Sequence, residues 1–134
     1  MGLKDAYKLD QEKAFDKGNR IDFYDDLGNE IGFVTVRYAG PSNKKFTAFR
    51  AAFMKPHERR VAQGMSEAES DKLLQEAFIK GGIVTEWSEY LPITVENFRE
   101  VMQAAPPETW RDIYTSAFNA KHYADVSREA ETGN

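Results

Sequence analysis

The chain has 134 residues, 30% of them charged, and a formal net charge of −4, which predicts one domain with no general attraction to nucleic acid. A mean hydropathy of −0.64 indicates a thin core, while 41% hydrophobic and 13% aromatic residues are too many for a wholly disordered chain. The lack of cysteine excludes disulfides and thiolate chemistry. With no membrane-spanning apolar run and no signal peptide, we expect a soluble intracellular protein.

The N-terminal part of the sequence predicts an arm followed by a β-hairpin. Residues 1–19 mix both charges with few apolar anchors, so this arm is expected to be flexible or weakly helical. The hairpin is predicted over residues 20–39, where two strands with alternating or β-branched and aromatic residues flank the turn Asp26–Glu30. Successive side chains of a strand point to opposite faces, so Phe33 cannot share a face with both Val34 and Val36. The second strand should therefore be apolar on both faces for part of its length.

A basic helix is predicted over residues 44–60. Phe46, Phe49 and Phe53 recur there with helical spacing, and Pro56 should kink or end its first part. The other faces carry one acid and six cations, namely Lys44, Lys45, Arg50, Lys55, Arg59 and Arg60. This asymmetry is compatible with a solvated face, with a docking surface for an acidic protein, or with a contact to nucleic acid.

The rest of the chain predicts further helices around an extended connector. Gly81 and Gly82 should end one helix, and Trp87 in the connector is interpreted either as a core residue or as a contact for a partner. The fold class is therefore mainly α (α+β), with an N-terminal hairpin followed by four to five helices in a small irregular bundle. The predicted divisions are an arm over 1–19, a domain over 20–126 with its helical part at 43–126, and a disordered tail over 127–134.

No catalytic motif is found in the sequence. His57 and His122 stand alone, without a second histidine or a carboxylate at the spacing of a metal site. Neither a nucleophile motif nor a phosphate-binding glycine loop is present. We therefore predict neither enzymatic activity nor a metal or other cofactor.

Several segments resemble the tail assembly chaperones of long-tailed bacteriophages. They are Ala39–Phe46, Ile83–Phe98, the hairpin turn Asp26–Gly32 and the stretch from Pro56 to Arg60, within a similarity that covers roughly residues 20–126. The resemblance implies a phage or prophage protein that binds the tape measure protein, keeps it soluble and helps the tail tube protein to polymerise around it. It also implies a location in the host bacterial cytoplasm and absence from the mature virion.

The expected partners are thus the tape measure protein and the tail tube (major tail) protein, and self-association is left open. Neither a membrane nor nucleic acid is an expected partner. Two alternatives are a structural tail-completion or head–tail joining protein and a small nucleic-acid-binding regulator. The residues predicted to bind a partner are Lys44, Lys45, Arg50, Arg59, Arg60, Phe33 and Trp87.

Overall fold

A three-stranded antiparallel sheet and five α-helices make up the part of the chain that the computed structural model describes, residues 8–124. The strands are β1 (Asn19–Tyr24), β2 (Glu30–Val36) and β3 (Val84–Trp87), and β2 lies between the other two. The predicted α+β class and the N-terminal hairpin are confirmed. The predicted tail over 127–134 lies outside the described residues.

The hairpin has the register that its sequence pattern favours. Ile21 pairs with Val34, and both belong to the side of the sheet that packs on the hydrophobic core. Phe33 lies on the other side, where the guanidinium carbon of Arg20 is 3.8 Å from the centre of its ring. The second strand is thus apolar on both faces, as its alternation predicts, and a cation covers the outer aromatic ring.

The helices are α1 (Lys44–Met54), α2 (Glu58–Ala62), α3 (Glu67–Lys80), α4 (Val95–Ala104) and α5 (Pro107–Phe118). A 3₁₀ turn over Lys55–His57 separates α1 from α2, because Pro56 has no N–H to continue the α-helical hydrogen bonds. A second 3₁₀ turn, Ala120–Tyr123, follows α5. No helix among residues 8–124 is long and apolar enough to cross a bilayer.

Polar side chains begin three of these helices. Asn43, Ser66 and Thr94 each accept a hydrogen bond from a backbone N–H in the first turn of α1, α3 and α4. Ser66 and Glu69 have the spacing of a capping box, but only one of its two hydrogen bonds forms at α3, because the Glu69 carboxylate pairs with Arg60.

The predicted connector contains the third strand. Val84–Trp87 pairs with β2, so the extended conformation is fixed by hydrogen bonds to the hairpin rather than by local preference. Of the two glycines before it, only Gly82 has a positive φ, of 75°. Gly81 has a φ of −83°, and a Cβ there would lie 2.8 Å from a ring carbon of Phe46. The two glycines thus end the helix as predicted, Gly82 through its positive φ and Gly81 through close packing.

Aromatic rings fill the core between the sheet and the helices. Phe78 in α3 is completely buried, and its ring centre lies 5.9 Å from that of Phe46 and 5.3 Å from that of Trp110. A smaller cluster joins the two ends of the described chain, where Ala14 and Tyr123 are buried beside Tyr38.

The N-terminal segment contributes directly to that smaller cluster. Lys13–Lys17 forms a π-helical turn, and the backbone N–H of Asp10 donates to the carbonyl of Tyr123. The part of the predicted arm that is described, residues 8–19, is thus folded against the body of the protein. Residues 1–7 lie outside the described range.

Candidate partner-binding surfaces

An apolar groove is lined by Trp87 and by the stretch of β2 that contains Phe33. It has a volume of about 260 Å³ and lies between the ends of β2 and β3 and the junction of α4 with α5. Ile31 and Gly32 from β2 and Val101 from α4 also line it. Trp87 pairs with Val34, so its side chain lies on the core face of the sheet. The ring of Phe33 lies on the opposite face, and Phe33 borders the groove at the edge of its strand.

Trp87 has both a structural contact and an accessible part. Its ring stacks on Phe98 with the centres 6.0 Å apart, and its indole N–H donates to the carbonyl of Leu91 over 2.8 Å. The side chain is only half-buried, and it lines the groove. Trp87 thus joins β3 to α4 and also presents apolar surface to the groove.

Large apolar side chains are exposed around the same end of the sheet. Five of the six exposed large hydrophobic residues of the described chain lie in the segments 24–31 and 90–91. Because β3 runs antiparallel to β2 and pairs Trp87 with Val34, the segment after β3 returns toward the hairpin turn. The sixth such residue, Val61, lies apart from them on α2.

A second concavity, the basic cleft, lies beside the opposite end of β2. It has a volume of about 480 Å³, and its cationic residues are Arg37, Lys44, Lys45 and Lys80. Aromatic rings and an isoleucine supply apolar surface, and no carboxylate residue lines it; the apolar residues are Phe15, Phe46, Phe49 and Ile83.

The four cations of the basic cleft differ in how they are held. Arg37 donates to the carbonyl of Gly82 over 3.2 Å, and Lys80 lies 3.4 Å from the carboxylate of Glu76. Lys44 and Lys45 form no ion pair within residues 8–124. Arg37 likewise forms no ion pair among these residues, so Lys80 is the one cation of the basic cleft whose charge a described carboxylate offsets.

The five cations that the sequence predicted as partner contacts do not form one surface. Lys44 and Lys45 line the basic cleft, whereas Arg50 lies over the ring of Phe118, 5.6 Å from its centre, beside a different concavity. Arg59 and Arg60 belong to the separate helix α2, where Arg60 pairs with Glu69. The 3₁₀ turn at Pro56 removes these two arginines from the line of α1.

Sequence reasoning missed two members of the basic cleft, Arg37 and Lys80. Arg37 follows β2, and Lys80 is the last residue of α3. Each one is a single cation in its own segment, so no local charge pattern marks it. The available signal was the position of Lys80 at a helix C-terminus, just before two glycines, which indicates a surface residue and nothing more.

Chemical sites are not apparent in the described part of the chain. Among residues 8–124, no group of three histidine, cysteine, aspartate or glutamate side chains could hold a metal ion. The ring of His57 lies beside that of Phe53, with centres 5.9 Å apart. Comparison of the chain with models of protein families, with curated proteins and with solved structures found no significant match.

Proposed function

We propose that this protein is a non-catalytic tail assembly chaperone of a phage or prophage, which binds the tape measure protein and promotes assembly of the tail tube. The observation that carries the proposal is the apolar groove with Phe33 and Trp87, at the end of the sheet where most of the exposed large apolar side chains lie. The resemblance of the sequence to this chaperone family supplies the identity of the partner.

The groove suits one apolar stripe of a helix. Helix-in-groove binding requires an apolar concavity that receives side chains at helical spacing, and aromatic residues at its centre supply most of the affinity. Trp87 supplies an aromatic surface of the groove, with Val101 beside it, and Ile31, which is 63% exposed, also lines it. A long helical tape measure protein exposes such stripes before the tail tube encloses it, so covering them would keep it soluble.

The cations supply a second, electrostatic contribution in this proposal. Lys44 and Lys45 lie toward the opposite end of β2 from the groove and Arg50 lines a third concavity, so a long partner would contact them separately. Surface charges act mainly on the rate of association and on specificity. We therefore expect the joint replacement of Lys44, Lys45 and Arg50 by glutamate to weaken capture of the tape measure protein without unfolding the domain. Unchanged capture would remove these three residues from the proposed interface.

Co-expression with the tape measure protein encoded just downstream tests the proposal. The tape measure protein should become soluble and co-purify with this chain. Ile31→Ser should reduce the co-purified amount, whereas Val61→Ser, which also alters an exposed β-branched residue but lies away from the groove, should not. Equal thermal unfolding of the two variants would show that the difference arises from binding. An insoluble, unbound tape measure protein would refute the proposal.

Two further measurements separate this proposal from the alternatives. Mass spectrometry of purified particles should find no copies of a chaperone, whereas a tail-completion or head–tail joining protein would be present. A nucleic-acid-binding regulator would shift DNA or RNA at low salt and release it steeply as the salt concentration rises. A flat titration at low salt would dismiss that alternative.

A further inference from the structure

The apolar groove is formed by segments whose charged residues are all acidic. Its lining residues belong to the segments 22–34, 86–92 and 100–110, and these segments contain no lysine, arginine or histidine. The whole chain has 18 basic and 22 acidic residues, so its composition alone does not account for this separation of charge. The carboxylates of the three segments are Asp22, Asp25, Asp26, Glu30, Glu86, Glu89, Glu100 and Glu108.

Most of these carboxylates form no ion pair in the described part of the chain. Arg20, which precedes the first segment, pairs with Asp22 and Glu30. The others have no lysine, arginine or histidine within ion-pair distance among residues 8–124. No neighbouring side chain therefore offsets their charge, and a cationic partner is attracted to this end of the sheet.

Glu89 brings this negative charge to the groove itself. It is exposed, and it is the one charged residue among the described residues that line the groove. The preceding residue is held to β2, because the backbone N–H of Ser88 donates to the carbonyl of Phe33 over 3.0 Å and the N–H of Phe33 donates to the Ser88 hydroxyl over 2.9 Å. The Glu89 carboxylate is thus anchored two residues from Trp87, beside the apolar surface of the groove.

The backbone at the junction of α4 with α5 reinforces this negative potential. Ala104 and Ala105 at the end of α4 line the groove, and the last carbonyls of a helix have no donor within that helix. Pro106 and Pro107 begin α5 and have no N–H that could offset those carbonyls. The junction therefore presents hydrogen-bond acceptors, which suit the ammonium or guanidinium group of a cationic side chain.

We infer that the apolar groove selects a basic amphipathic helix, in which lysine or arginine flanks the apolar stripe. The stripe would pack on Trp87, Val101 and Ile31, while the flanking cations would face Glu89 and the end of α4. This inference rests on the proposed helix-binding function of the groove and adds the charge of the partner segment. Complementary charge raises the rate of association and rejects an acidic helix of equal hydrophobicity.

Two synthetic peptides that differ only in charge test the inference on the full chain. Both are about 18 residues long, or about five helical turns, with leucine at the spacing of one apolar stripe. One peptide has lysine at the flanking positions, and the other has glutamate at the same positions. Fluorescence anisotropy of the labelled peptides at low salt should show that the lysine peptide binds at least about tenfold more tightly, and added salt should reduce this ratio.

Two pairs of variants locate the contact, because an acidic protein attracts cationic peptides in general. Ile31→Ser leaves the charge unchanged and should weaken binding of the lysine peptide several-fold, whereas Val61→Ser on α2 should not. Glu89→Gln should weaken that binding by about two- to fivefold, as expected for a surface ion pair. Glu58→Gln removes an exposed carboxylate on α2 and should have no effect. Equal thermal unfolding of the four variants would show that these differences arise from binding.

Four other outcomes would overturn the inference. Equal binding of both peptides, weakened in each case by Ile31→Ser, would leave the groove as a helix-binding site without a charge preference. Tighter binding of the glutamate peptide would reverse that preference. Binding of the lysine peptide that Ile31→Ser does not change would place the contact outside the groove. Failure of both peptides to bind would also remove the groove from the proposed function, and any capture of the tape measure protein would then occur through another surface.

Discussion

Tyr123 allows a direct test of how the end of the described chain is held to the sheet. Its side chain is completely buried, and its hydroxyl donates to the backbone carbonyl of Val36 over 3.0 Å. Its ring centre lies 5.4 Å from that of Tyr38, and its own carbonyl accepts from the N–H of Asp10. Burial raises the pKa of Tyr123, and the neighbouring Tyr38 raises it further.

The structure gives an expected magnitude for Tyr123→Phe. Near neutral pH the substitution should lower the free energy of unfolding by about 1–2 kcal/mol, because it leaves the buried carbonyl of Val36 without its donor. The unfolded chain ionises this tyrosine near its ordinary pKa of 10, whereas burial keeps it neutral in the folded protein. The contribution of the Tyr123 hydroxyl to the free energy of unfolding is therefore fully present below pH 10. It falls by about 1.4 kcal/mol per pH unit as the pH rises from 10 toward the higher pKa of the folded state.

Urea unfolding at about pH 8 and at about pH 11 measures both effects. The difference in free energy of unfolding between the unmodified chain and Tyr123→Phe should fall by about 1.4 kcal/mol, so that the two become nearly equal at the higher pH. Tyr90→Phe is the control, since that side chain is fully exposed and should behave like the unmodified chain at both pH values. A difference that stays constant with pH would refute the proposed burial of a neutral hydroxyl.

Three other substitutions test contacts in and around α1. Asn43→Ala should lower the free energy of unfolding in urea by about 1–3 kcal/mol, because it removes a helix cap and a donor to a backbone carbonyl. Ser66→Ala removes only a cap and should lower the free energy of unfolding by about 1 kcal/mol. Gly81→Ala should cost about 1–3 kcal/mol by forcing its Cβ into the ring of Phe46, and a thermal midpoint equal to that of the unmodified chain would contradict that packing. Arg50→Gln should lower the free energy of unfolding by about 0.5–1 kcal/mol through the loss of its contact with a phenylalanine ring, and urea unfolding equal to that of the unmodified chain would contradict that contact.

The hairpin and the helix starts could be predicted from the sequence because their determinants are local. Alternation in the first strand fixes which residues face the core, and the turn residues place the reversal between Tyr24 and Glu30. Asn43 and Thr94 are residue types that favour the cap position, and the hydrogen bond that each accepts comes from a residue only three positions later.

The pairing partner of the third strand could not be predicted from the sequence. Val84–Trp87 has only four residues, and its extended conformation depends on β2, about fifty positions earlier in the chain. A physical indication did exist, since a two-stranded hairpin alone is marginal in water and needs a third strand or a helix to cover it. The sequence did not show whether a third strand or a helix would cover the hairpin.

The two binding surfaces could be predicted only in part, for the same reason. Phe33 and Trp87 were predicted as separate aromatic residues, and both border one groove, but pairing of Trp87 with Val34 places the two rings on opposite faces of the sheet. The basic residues gave the opposite result, because the break at Pro56 divides a continuous run of cations between two helices. Lys44 and Lys45 gain Arg37 and Lys80 as neighbours instead.

The distribution of charge matters more here than the net value of −4. At a physiological Debye length of about 8 Å, the carboxylates of Asp25 and Asp26 in the hairpin turn and the cations of the basic cleft are screened from each other across the length of β2. A partner that approaches either end therefore experiences the local charge and not the total. An acidic protein can thus offer a basic binding site, and the composition alone, which argues against anionic partners, is a poor guide to what Lys44 and Lys45 attract.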